Sequence, residues 1–252
     1  MNASLWALLV FVTQMAGWFG GRIIRSRLPP EHLTSSTRDA VVLAAGTVAT
    51  LAALVLGLMI SSAKASFDAD RASVVEIATN SLLMDRALAH YGDDSKVARE
   101  TLRNLLQRAV DSISASELER KAAGSGSPLP LTDRLQTSLL KLVPSNDGQR
   151  WVQTRALALS AELERARVLF AERADSSIPV AFLIVLTAWL AMLYLAFAIF
   201  APTNATVTAT AWGGALALSA AIFLIIELDT PFHGMISLSG EPLVKTLQLL
   251  GR

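Results

Sequence analysis

Apolar and polar positions alternate along this chain in blocks, not residue by residue. Four stretches are apolar on every face: about Leu5–Gly21, Ala40–Ile60, Ile178–Ala201 and Ala205–Ile226. Each approaches or reaches the roughly 17–25 residues a helix needs to cross a bilayer. Between the second and third stretches the pattern changes. Val74, Ile77, Ala78, Ser81, Leu82 and Leu88 follow a 3.6-residue period, and Val97, Leu102, Leu105, Leu106, Ala109, Val110 and Ile113 do the same after Asp94-Ser95. That period predicts amphipathic helices, which bury one face and wet the other.

Punctuation residues set the limits. Gly92 is a helix stop for a second span that continues through Lys64 to Tyr91. Residues 124–130, Gly-Ser-Gly-Ser-Pro-Leu-Pro, read as a loop. A short helix over about Thr132–Leu142 and a longer one over about Arg150–Arg173 follow, separated by the Asn146-Asp147-Gly148 turn. Ser176 and Ser177 can cap the third span, with Pro179 in its first turn. Ala201-Pro202-Thr203-Asn204 ends it after so short a connection that the last two spans form an antiparallel hairpin.

The predicted fold is therefore an all-α integral membrane protein, with four transmembrane helices in two pairs flanking a helical extramembrane domain. Its parts are a first transmembrane pair (1–62) with a basic loop at 22–39, the helical domain (63–177), a second transmembrane hairpin (178–226), and a motif turn with an interfacial tail (227–252). In the tail, Pro242 starts a short helix whose Leu243, Val244, Leu247 and Leu250 share one face, read as lying on the membrane surface. The first apolar stretch lacks a basic n-region and a cleavage site, and is read as a retained anchor.

Composition sharpens this picture. Hydrophobic residues make up 52% of the 252 and charged residues 17%, against about 25% charged in a soluble domain. The net charge of +1 gives no basic patch for nucleic acid. Residues 63–177 carry sixteen basic and sixteen acidic side chains. There is no cysteine, hence no disulfide or thiolate chemistry. His32, His90 and His233 match no metal-ligand spacing, and no phosphate-loop or nucleophile-elbow pattern is present. The expectation is a protein that is not an enzyme and uses no cofactor or metal.

No Asp, Glu, Lys or Arg lies inside the four stretches, which argues against a proton relay through one subunit. Two constellations remain as candidate sites. Ala45, Ala49, Ala53, Gly57 and Ser61 are small and recur every four residues, as do Gly213, Ala217 and Ala221. Small residues at this spacing allow close helix approach in lipid, either within the chain or at an oligomer interface or narrow pore wall. Glu227 and Asp229 stand at the end of the fourth stretch. Repeated around a symmetric oligomer they form a charged ring at an ion mouth; alone, they are a helix end whose Asp229 bonds local backbone ahead of Pro231, with Gly234 in the turn.

Arg22, Arg25, Arg27 and Arg38 against Glu31 and Asp39 make the first loop basic, which by the positive-inside rule places it in the cytoplasm and the helical domain outside. Lys64, Arg71, Arg165, Arg167 and Arg173 flank the other side.

Several runs resemble a bacterial family known by a bestrophin-like domain: Ser176-Ser177-Ile178-Pro179, Trp189, Phe200-Ala201-Pro202, Asn204-Ala205-Thr206, and above all 221–234, Ala-Ile-Phe-Leu-Ile-Ile-Glu-Leu-Asp-Thr-Pro-Phe-His-Gly. Leu238-Ser239, Pro242-Leu243, the 51–57 segment with Ala63-Lys64, and Leu83–Gly92 are similar as well. Thr203 stands where members often carry a basic residue. The resemblance implies a likeness to bestrophins, pentameric four-span ion channels with a cytosolic helical region. It thus implies a homo-oligomer in a lipid bilayer, an inorganic ion as ligand, and a cytoplasmic helical domain, against the charge rule. The expected location is the bacterial cytoplasmic (inner) membrane, multi-pass. The alternative function is a non-conducting scaffold that binds a partner through its helical domain.

Overall fold

The computed structural model describes residues 2–114, 129–173, 178–229 and 238–250. Among them there is no strand. The helices are α1 (Ala3–Arg27), α2 (Ser35–Tyr91), α3 (Lys96–Ser114), α4 (Leu129–Leu140), α5 (Asp147–Arg173), α6 (Val180–Phe200), α7 (Ala205–Asp229) and α8 (Glu241–Leu249). Short 3-10 turns at Pro30–His32 and Asp93–Ser95 precede α2 and α3.

α2 runs unbroken through 57 residues. It stops where the sequence predicts, because Gly92 adopts φ 105°, a conformation that costs a residue with a Cβ. The Ser95 hydroxyl then donates to the Leu88 carbonyl at 2.7 Å, satisfying an acceptor exposed by the helix end. α4 begins earlier than expected and takes Leu129 and Pro130 into its first turn, where proline sacrifices no helical hydrogen bond. Pro179 is the N-cap of α6 and not a first-turn residue, and no side chain caps it. The loop residues 124–128, and Ser176 and Ser177, lie outside the described residues.

The chain divides into two compact units. The first comprises residues 1–67 with 176–230 and 234–236, and contains α1, the start of α2, α6 and α7. Among the described residues these are the four helices long and apolar enough to cross a membrane. α1 packs along both α6 and α7. Its contact with α6 depends on Gly17 and Gly21: a Cβ on Gly17 would overlap the Ala191 carbonyl, and one on Gly21 the Leu195 carbonyl. Two glycines four apart let the backbones touch, the close approach that drives helix association in lipid.

The second unit comprises residues 68–175, 231–233 and 237–252. Its core joins Val74, Ile77, Met84 and Leu88 of α2 to Leu102, Leu105 and Leu106 of α3, Leu135 and Leu139 of α4, and Leu159 and Leu163 of α5. Val97, counted with the apolar face of α3, is exposed. α8 belongs here and packs on α3. Leu243 and Leu250 are buried in this core with Leu247 against it. The tail read as lying on the membrane surface is thus a component of the helical unit: its apolar face has protein to cover it.

Candidate functional site

The small-residue candidates separate once placed. Ala45 is buried, Ala49 is half-buried, and Ala53, Gly57 and Ser61 are exposed. A repeat of four residues advances 400° on a helix turning 100° per residue, so the stripe rotates about 40° per step and winds off any straight interface. The residues of α2 buried in the first unit are Ala45, Ala52, Met59 and Ala63, with Val48, Ala49, Val55 and Leu56 against them. That alternation of three and four is the spacing of a coiled-coil seam. The single smooth face expected of α2 is therefore two surfaces. One is packed within the chain, and the other carries Gly57 and Ser61 outward, with Ala53 exposed at the edge between the two. On α7, Gly213 and Ala217 are exposed and Ala221 is half-buried.

Glu227 and Asp229 are not open at a helix end. They are 3% and 7% exposed on the last turn of α7, and both are engaged with partners. Buried carboxylates require such engagement. Pro231 and Gly234 lie outside the described residues, as does His233.

Three features escaped the sequence reading. Gly17 and Gly21 bring the α1 backbone against the α6 carbonyls, and the Gly17-x-x-x-Gly21 spacing was the signal for it. Gln14 is completely buried with neither amide atom hydrogen-bonded among the described residues, and the Ser219 hydroxyl is likewise unpartnered there. Arginines of the first loop have structural roles: Arg25 donates to the Ala201 carbonyl at the α6–α7 turn, and the Arg22 guanidinium lies 5.5 Å from the centre of the Trp18 ring, a cation–π distance.

An apolar cavity of about 570 Å³ opens within the first unit among α1, α2, α6 and α7. Trp18, Ala45, Ala49, Leu193 and Phe197 line it, with Arg38 as its one charged wall residue. Tyr194 also faces it, its hydroxyl donating to the Ala211 carbonyl at 3.2 Å. No cluster of metal-ligating side chains occurs among the described residues.

No curated protein sequence matches the chain. Its fold is similar to the crystal structure of a bacterial Bestrophin homolog from Klebsiella pneumoniae carrying a point mutation, with TM-score 0.68 over 99% of this chain and 97% of that one, at 15% identity. The model of the Bestrophin-like domain matches residues 12–243, a span that runs from within α1 through α2, the helical unit, α6 and α7 to the start of α8. With nearly its whole length inside that match, this helical membrane protein belongs to the Bestrophin-like family.

Proposed function

We propose that the protein is a homo-oligomeric ion channel of the bacterial cytoplasmic membrane. The observation that carries this reading is the outward surface of α2. Of the four spans, α2 is the least buried by the rest of its own chain, and the surface it leaves uncovered includes Gly57 and Ser61. Small residues on an uncovered membrane helix suit close approach by a second copy or a narrow path along the helix. The uncovered Gly213 and Ala217 of α7 offer a second contact surface of the same kind. The name of the structurally similar protein agrees with this reading.

In this proposal the helical unit is cytoplasmic. Arg22 and Arg25, which by charge alone favour a cytoplasmic first loop, have partners in Trp18 and Ala201. Their presence on that side follows from packing.

Purified protein in planar bilayers tests the proposal. Gly57 has open space at its Cβ, so Gly57→Leu fits the protomer and should reduce conductance or disrupt assembly. An assembled wild-type oligomer that never conducts would refute the channel. Glu227→Gln with Asp229→Asn tests the charged ring: altered ion selectivity supports it, and unaltered selectivity removes both carboxylates from the ion path.

A second reading rests on a different surface. Leu140, Val143 and Trp151 are 64%, 83% and 68% exposed where α4 passes into α5. Exposed apolar side chains of this size suit a protein contact. A non-conducting scaffold would bind its partner there, and Val143→Asp with Trp151→Ser would abolish co-purification of that partner.

A further inference from the structure

We propose that the cavity among α1, α2, α6 and α7 holds one acyl chain of a membrane phospholipid, with the lipid phosphate on Arg38. The cavity runs from Arg38, in the first turn of α2, inward to Leu56 on the same helix, Leu190 on α6 and Leu218 on α7. Its walls are otherwise aliphatic and aromatic apart from the Tyr194 and Thr210 hydroxyls. A slot with one cation at its mouth and hydrocarbon along its length matches an amphiphile with an anionic head and an apolar tail.

One polar group distinguishes this from a casual gap in packing. Arg38 is exposed and forms no ion pair among the described residues. Trp18 contributes its ring to the wall, while its indole N–H has no surface open to the cavity. Tyr194 needs nothing further, since its hydroxyl already donates to Ala211.

Size separates the lipid from a second copy. A helix with its side chains is about 10–12 Å across. A cavity of about 570 Å³ bounded by four helices of one chain falls in the range of small-ligand sites, roughly 300–1,000 Å³. Bringing Ala45, Ala49 and Ala52 to the wall leaves width for a chain of methylenes, where larger side chains on α2 would close the gap.

The test is native mass spectrometry of the full chain, reconstituted with phosphatidylglycerol and released from detergent under activation that strips loosely held lipid. The wild type should retain one phospholipid per protomer. Ala49→Trp, which fills the slot, should retain none while keeping its helical circular dichroism. Arg38→Gln, an exposed change that leaves the fold intact, should lower retention at least about tenfold, the effect of losing a charge-assisted contact. Three results would overturn the proposal: a wild type without bound phospholipid, a free fatty acid in its place, or Arg38→Gln retaining as much as wild type. A lipid-free wild type in which Ala49→Trp changes only the oligomeric state would assign the slot to a second copy.

Discussion

Gly17 of α1 lies so close to the carbonyl of Ala191 on α6 that no side chain fits between them. Gly21 repeats the contact one turn later against Leu195. Gly17→Leu and Gly21→Leu should each destabilise the membrane unit by about 1–3 kcal/mol, the usual cost of overpacking. Gly20 has open space at its Cβ, so Gly20→Ala is a control that leaves the melting temperature in detergent unchanged. Equal melting temperatures for all three variants would show that the helices part without cost.

In the helical unit, Arg99 grips Asp85 with two bonds, Nε to Oδ1 at 2.7 Å and Nη2 to Oδ2 at 3.0 Å. The Asp85 side chain is 6% exposed and the Arg99 side chain 27%, so the carboxylate is withdrawn from water and the guanidinium only in part. Asp85→Ala removes a charge-assisted contact and should cost about 1.5–3 kcal/mol. The double variant Asp85→Leu with Arg99→Met removes both charges and should recover most of that loss in chemical denaturation.

Arg167 has the opposite problem. Its Nη1 is buried without a hydrogen-bond partner among the described residues, and burial pulls the guanidinium pKa below its ordinary value. A base whose folded pKa is lowered penalises folding while it is charged; the penalty begins to fall as pH rises past the folded pKa and is gone only above the unfolded one. Arginine stays charged at neutral pH, so the penalty is present there throughout. Arg167→Met should raise the melting temperature by about 2–4 °C, the shift expected for about 1 kcal/mol. The gain should be the same at about pH 6 and pH 8.

Leu243 is 1% exposed in the core of the helical unit. Leu243→Ala should destabilise that unit by about 2–5 kcal/mol, measured as increased proteolysis of α3 and α5 at fixed temperature. A helix resting on lipid would give no such effect, so unchanged proteolysis would return α8 to the membrane surface.

Sidedness follows from thiol labelling, since the chain contains no cysteine. Ser36→Cys, exposed in the first turn of α2, should react with an impermeant reagent in intact bacterial cells. Ala161→Cys, exposed on α5, should react only after permeabilisation. The reverse pattern would place the helical unit outside, as the positive-inside rule does.

The sequence alone determined the helical class, the four apolar spans, the continuity of α2 to Gly92 and the turn at Pro202. Each follows from local physics: hydrophobic period, backbone freedom at glycine and the missing amide hydrogen of proline. The family likeness was legible too, most clearly in residues 221–234. What the sequence could not decide was which face of each helix meets which neighbour. The stripe from Ala45 to Ser61 looked like one surface because a fourfold repeat in the linear chain resembles helical periodicity. On the folded helix it turns from the packed side to the open side. Leu243 and Leu250 carried the pattern of a membrane-surface helix, and only the tertiary structure gave them a protein core, because an amphipathic face records that it must be covered but not by what. Asp85 and Arg99 were ordinary charges in the chain and became a pair through packing fourteen residues apart. The cavity beside Trp18 has no sequence signature, since a gap is defined by how four helices fail to fill the space between them.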